Sequence, residues 1–144
     1  MVREQEKQMV ENVPPVKTWE ALKSDPQAQL VDVRTDVEWN FVGVPDLAQA
    51  GKQVVLLPWQ TYPTMQRNPA FEEQLGGAGF TSDHHIYFLC RSGARSLAAA
   101  EAAKAAGFPN VYNVSDGFEG PVDGAGHRGA LAGWKADGLP WRQR

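Results

Sequence analysis

Four strand-like runs rich in β-branched and aromatic residues lie at 29–33, 53–57, 85–89 and 110–114, and helical patterns separate them. Strand and helix in alternation call for an α/β layer: a mainly parallel central sheet flanked by helices on both faces. Ligands of such sheets bind beyond the carboxyl ends of the strands. The clearest helix covers 96–106, where the run LAAAEAAKAA has very high helix propensity and stops at Gly107. A second is expected from Asn68 and Pro69, as cap and first turn, through Phe71 and Leu75 to Gly76 and Gly77. A short helix capped by Thr18 runs through Trp19 and Leu22 and ends at Ser24, Asp25 and Pro26. Pro14 and Pro15 are expected to stop any helix in the polar segment before them. Trp19, Trp39 and Trp141 read as core or core-edge anchors.

At 144 residues the chain has room for one domain, with 1–12 as a flexible N-terminal arm and 13–144 as the folded unit. A net charge of -3 supplies no basic field for nucleic acid or for an anionic membrane. No apolar run approaches the roughly 18 residues that would span a bilayer. The polar, mixed-charge start lacks the apolar stretch of a secretory signal, so the expected location is cytoplasmic, with a reduced thiol. A monomer is expected from the acidic composition. The single cysteine excludes an internal disulfide, a CxxC redox pair and a thiolate-rich zinc site. With no metal constellation, nucleotide phosphate loop or Ser-His-Asp arrangement in the sequence, neither metal nor cofactor is expected.

That one thiol falls where the geometry places chemistry. Cys90 follows the buried-type strand Ile86, Tyr87, Phe88, Leu89, and the loop Arg91, Ser92, Gly93, Ala94, Arg95, Ser96 leads straight into the Ala-rich helix. Two readings compete: an inert buried thiol closing a strand, or a lone nucleophile. The second is favoured by the joint occurrence of a strand end, a glycine, two arginines and a strong helix in one window. A short loop between a strand and a helix N-terminus turns successive backbone N–H groups toward one point, with the helix dipole behind them. The anion expected in this nest is the Cys90 thiolate, flanked by the Arg91 and Arg95 guanidinium groups. Gly93 supplies the backbone freedom that a tight ring of amides needs.

The loop Cys90 to Ser96, CRSGARS, resembles the active-site loop of single-domain rhodaneses, the sulfurtransferases. Other segments are similar in the same order: Leu30, Val31, Asp32, Val33 and Arg34 with Glu38; GFPNVYNV from Gly107 to Val114; and Gly138, Leu139, Pro140 and Trp141 near the end. The resemblance spans about 13–141. It implies a rhodanese-like fold and a Cys90 that takes a sulfane sulfur from a donor such as thiosulfate, holds it as a persulfide, and passes it to a thiol or cyanide. It also implies that Arg91 and Arg95 hold the anionic donor, while the backbone from Arg91 through Ser92, Gly93 and Ala94 to Ser96 holds the persulfide. Asp32 and Arg34 are expected as structural support, with Arg34 paired to Glu38.

Alternatives remain open on the same resemblance. The chain could be a persulfide carrier or regulatory module serving a protein partner. Rhodanese-fold phosphatases and arsenate reductases use a longer Cys-x5-Arg loop, but six residues after Cys90 stands Ser96, and the arginine comes one place earlier. Two departures from the family pattern stand out. The histidine of a "GHIPGA" stretch is missing at Gly43, Val44, Pro45, with Trp59, Tyr62 and Met65 following as candidate walls of the site. An insertion at 121–129 offers His127 and Arg128 to the site mouth. His84 and His85, at the amino end of their strand, are expected to be solvated.

Overall fold

The computed structural model describes residues 9–144. In chain order the elements are β1 (Glu11–Val13), α1 (Pro15–Ser24), β2 (Ala28–Asp32), α2 (Asp36–Val42), β3 (Val44–Pro45), a 3-10 turn (Ala48–Ala50) and β4 (Val55–Leu56). There follow β5 (Gln60–Thr61), β6 (Gln66–Arg67), α3 (Phe71–Gly77), β7 (His85–Leu89), α4 (Ala94–Ala105), β8 (Val111–Val114) and β9 (Trp141–Arg142). Among the described residues, five strands make one sheet in the order β1-β8-β7-β2-β4, with every neighbouring pair parallel. The remaining short strands form two antiparallel pairs, β3 with β9 and β5 with β6.

Alternation along the two central strands sorts the core into two layers. Val31 and Val33 of the β2 run, with Ile86, Phe88 and Cys90 of the β7 run, pack beneath α3 and α4 through Phe71, Leu75, Ala99, Ala100 and Ala103. Ala28, Leu30, Tyr87 and Leu89 face the other way, toward Trp19 and Leu22 of α1 and the fully buried Phe118 and Trp134. Helices therefore cover both faces. The alanines of α4 that face the sheet, Ala99, Ala100 and Ala103, are fully buried, and their small side chains let this helix lie close on β7 and β8. Among the described residues no helix is long and apolar enough to cross a membrane.

Several local expectations need correction. The end of the segment assigned to a flexible arm is a strand: Glu11 and Asn12, continuing into Val13, pair in parallel with Tyr112, Asn113 and Val114, because β8 leaves an open edge that their backbone satisfies. Residues 1–8 of that arm lie outside the described residues. α1 starts earlier than expected, at Pro15, since proline at the first helical position lacks only an N–H that would be unpaired anyway. Thr18 is not its cap but sits buried inside it, donating to the Pro14 carbonyl at 3.1 Å. Asn68 does not cap α3 directly: its Oδ1 accepts from the Ala70 N–H at 3.1 Å and its amide donates to the Pro58 carbonyl, bracing the turn before the helix. Trp141 is 40% exposed, stacked under the Lys135 ammonium, whereas Trp19 and Trp39 are buried as expected.

Candidate active site

Cys90 is the first residue after β7, the strand flanked by β8 and β2 at the centre of the sheet. Its side chain lies on the α4 face and is 1% exposed. Gly93, at φ +115°, turns the chain into α4, and its N–H donates to Cys90 Sγ at 3.1 Å. One turn on, Ser96 Oγ lies 3.2 Å from the same sulfur. Two polar groups thus converge on the thiol from a loop with the positive end of a helix behind it.

Ser96 is also 2.5 Å from Asn113 Oδ1 on β8, and the Asn113 amide donates to the Gly93 carbonyl at 3.2 Å and to Asn12 Oδ1 at 2.9 Å. Asn113 and Asn12 were not among the expected site residues. A polar residue inside the buried run VYNV was the available signal, because a buried amide needs partners.

From behind, the loop is held backbone to backbone. Phe118 N–H donates to the Cys90 carbonyl at 2.8 Å, and the Glu119 and Gly120 N–H groups donate to the Arg91 carbonyl at 2.9 and 3.1 Å. Gly117, at φ +62°, makes this approach possible: a Cβ there would sit 2.5 Å from the Cys90 carbonyl oxygen. The 121–129 insertion starts and ends on this strap, because the Gly129 N–H donates to the Glu119 carbonyl at 2.6 Å.

The loop opens into a groove of about 590 Å³ lined by Glu38, Val42, Gln60, Met65, Arg91, Arg95, Glu119 and Arg128. Arg128 is therefore brought to the groove by the insertion, its guanidinium anchored on the Gly120 carbonyl at 2.8 Å. His127 is exposed and absent from the lining. Trp59 is absent too: it packs edge-to-face on Phe71, with Arg67 over its ring, while its neighbour Gln60 reaches the groove. Of the other two candidate walls, Met65 lines the groove and Tyr62 does not.

The arginine pairing differs from the expected one. Arg34 does not pair with Glu38; it forks onto Asp32, with Nη2 to Oδ2 at 2.7 Å and Nε to Oδ1 at 3.0 Å, and both side chains are fully buried. Its Nη2 also donates to the Gly43 carbonyl, tying the end of β2 to the start of β3. Glu38 instead takes Arg95, with bidentate contacts at 2.7 and 2.8 Å. The same carboxylate closes a capping box with Thr35 at the start of α2. Burial pushes the Glu38 carboxyl up, but the Arg95 hydrogen bond and charge, with the Thr35 N–H, outweigh it and hold the group below its ordinary 4.5. The Glu38 hydrogen bond raises Arg95 in turn, against the opposing effect of burial. Arg95 is thus committed to the scaffold, and Arg91 and Arg128 are, among the described residues, the groove cations without a side-chain anion on them. Among the described residues no group of three or more His, Cys, Asp or Glu could hold a metal ion.

Known proteins agree with this architecture. The family model described as "STR4 middle domain" matches residues 12–144. The uncharacterized protein RC0915 of Rickettsia conorii is 40% identical over 134 residues, covering 92% of this chain and 98% of that one. The rhodanese-like domain-containing protein 4, chloroplastic, of Arabidopsis thaliana is 30% identical over 122 residues, covering 83% of this chain and 23% of that larger protein. The crystal structure of Rv0390 from M. tuberculosis superposes with a TM-score of 0.84 at 48% identity, covering 94% and 98% of the two chains. Sulfurtransferases occur among solved structures of the same fold at 21% and 13% identity, a likeness that concerns the fold alone. The chain belongs to the STR4 middle domain family of rhodanese-like domains.

Proposed function

We propose that this protein is a sulfurtransferase that moves a sulfane sulfur through a Cys90 persulfide. The observation that carries the reading is the seating of Cys90 Sγ: nine-tenths and more buried, 3.1 Å from the Gly93 nitrogen and 3.2 Å from the Ser96 hydroxyl, in a loop whose Arg91 and Arg95 line the adjoining groove. The Cys90 thiolate attacks the outer sulfur of thiosulfate, and the donor's S–S bond breaks. Sulfite leaves with the electron pair, and Cys90–S–S⁻ remains. Cyanide or a thiolate acceptor then attacks the outer sulfur, the persulfide bond breaks, and Cys90 leaves as thiolate again. Loop hydrogen-bond donors stabilise the anion at each stage, and Arg91 and Arg128 attract the donor.

Phosphoryl transfer fits less well. Position six after Cys90 is Ser96, and Arg95 is clamped by Glu38, so no free guanidinium closes the loop around a tetrahedral oxyanion. A carrier role for a protein partner is the second reading, favoured by a groove much larger than thiosulfate. No second cysteine exists to discharge the persulfide, so either reading needs an external acceptor.

Incubation with thiosulfate is expected to add one sulfur atom by intact mass, removable by cyanide and absent in Cys90→Ser. Continuous turnover with thiosulfate and cyanide supports the enzyme, and loading without turnover supports the carrier. No sulfur gain from thiosulfate or from a persulfide donor overturns both.

A further inference from the structure

Behind the nucleophile a buried polar chain runs from Ser96 to Asn113 and on to Asn12, and the sulfur-transfer steps do not use its two asparagines. Ser96 is fully buried and Asn113 is 4% exposed. The orientation of the Asn113 amide is settled by its neighbours: the Gly93 carbonyl can only accept, so the Asn113 nitrogen faces it and Oδ1 faces Ser96. Both amide hydrogens are then spent, on Gly93 and on Asn12. A serine hydroxyl has one hydrogen. With Asn113 Oδ1 at 2.5 Å and Cys90 Sγ at 3.2 Å, that hydrogen goes to the amide oxygen, and a lone pair of Ser96 is left facing the sulfur. This arrangement suits a thiol, whose own hydrogen points at Ser96. It opposes a thiolate, which needs the serine hydrogen for itself.

We infer that Asn113 is a positioning residue that competes with the Cys90 anion for the one hydrogen of Ser96, and so sets the pH at which the nucleophile ionises. When Cys90 gives its proton to solvent, the Ser96 O–H swings from Asn113 Oδ1 to the sulfur, and a buried carbonyl loses its donor. The Gly93 N–H stays on the sulfur in both states. The competition restrains the free thiol in a chain with one cysteine, where a sulfenic acid would have no internal partner to rescue it. The inference rests on Cys90 as the nucleophile of the proposed reading.

The charged groups of the Cys90 loop and its surroundings are Arg91 and Arg95 from the loop and helix, Asp32 and Arg34 from the end of β2, Glu38 from α2, and Asp116, Glu119 and Arg128 from the segment after β8. All are unchanged in the variants below, so differences among them report the polar chain.

The test is the pH titration of thiolate ultraviolet absorbance in the full chain, with Cys90→Ser as the blank. Asn113→Ala is expected to lower the midpoint by about one pH unit, a tenfold gain in the ionisation constant. Ser96→Ala is expected to raise it, and Asn113→Ala on the Ser96→Ala background to leave it where Ser96→Ala put it. An unchanged or raised midpoint in Asn113→Ala, or an equal shift without Ser96, overturns the inference. Should Asn113→Ala fail to fold, Asn12→Ala decides from the exposed end of the chain. It removes one of the two acceptors that fix the amide; a smaller downward shift supports the inference, and no shift or an upward one overturns it. No sulfur moves in this measurement, so its failure leaves the transferase reading intact, and failure of sulfur loading leaves the titration interpretable.

Discussion

Glu38 grips both terminal nitrogens of Arg95, at 2.7 and 2.8 Å, across 57 positions of chain, and so joins the capped start of α2 to the first turn of α4. Each of these side chains is 18% exposed, deep enough for the charge-assisted pair to matter. Glu38→Gln is expected to destabilise the fold by about 2 kcal/mol in urea unfolding at neutral pH. Because the folded-state Glu38 lies below its ordinary 4.5, its contribution is complete above about pH 4.5 and is lost as the pH falls through the folded-state value. The gap between wild type and Glu38→Gln must therefore narrow with acid below that pH. A gap that is constant from pH 7 down to the acid unfolding limit would refute the assignment.

Arg128 reaches the groove and His127 does not. Arg128→Ala is predicted to raise KM for thiosulfate about tenfold, equivalent to about 1.4 kcal/mol, with little change in kcat. His127→Ala should leave both constants alone. Added salt should raise KM in the wild type more than in Arg128→Ala, since screening acts on the charge that the variant lacks.

At Gly117 the obstacle to a side chain is backbone: an added Cβ would stand 2.5 Å from the Cys90 carbonyl oxygen and 2.6 Å from the Arg91 carbonyl carbon. Gly117→Ala should cost at least about 2 kcal/mol and slow persulfide formation, because the strap can relieve the clash only by moving the nucleophile's own peptide. Gly124→Ala, with open space around the added carbon, serves as the control and should be neutral on both counts.

Truncating one member of the Asp32 and Arg34 pair strands the other in the core. Arg34→Met is expected to cost about 3–5 kcal/mol, and the double variant Asp32→Asn with Arg34→Met less than that. Thermal unfolding of the single and double variants provides the comparison. Equal losses would mean that the pair contributes through packing on the Phe118 ring, where the Arg34 guanidinium lies 4.2 Å from the centroid.

The parts of this molecule that were legible in the sequence are the local ones. The loop from Cys90 to Ser96 keeps its meaning because strand end, glycine and helix start are contiguous, and the LAAAEAAKAA run is helical by propensity alone. Charge pairing was harder to read. Arg34 stands four residues from Glu38 and two from Asp32, and the nearer carboxylate wins because the chain bends after β2, turning both the Arg34 N–H and its guanidinium onto Asp32. β1 was illegible for a different reason: Glu11, Asn12 and Val13 carry little strand signal, and their pairing is decided by β8, about 100 residues away. Trp141 followed the rule that tryptophans are buried until the Lys135 ammonium, 3.9 Å over its ring, supplied a partner at the surface. Arg128 was offered by the insertion's position, but only the bond to the Gly120 carbonyl explains why it, and not His127, turns inward.

The strap at 117–120 also divides the molecule in a way that bears on how such a site can change. Everything between Gly120 and Gly129 hangs from a neck closed by the 2.6 Å bond to Glu119, and inside it Asp123 organises its own turn through the N–H groups of Ala125 and His127. The nucleophile is held by main chain on the near side of that neck. A loop of different length or charge could be exchanged at these two glycines with the Cys90 loop left in place, so on the proposed reading the recognition of a donor and the transfer of its sulfur would be separately replaceable.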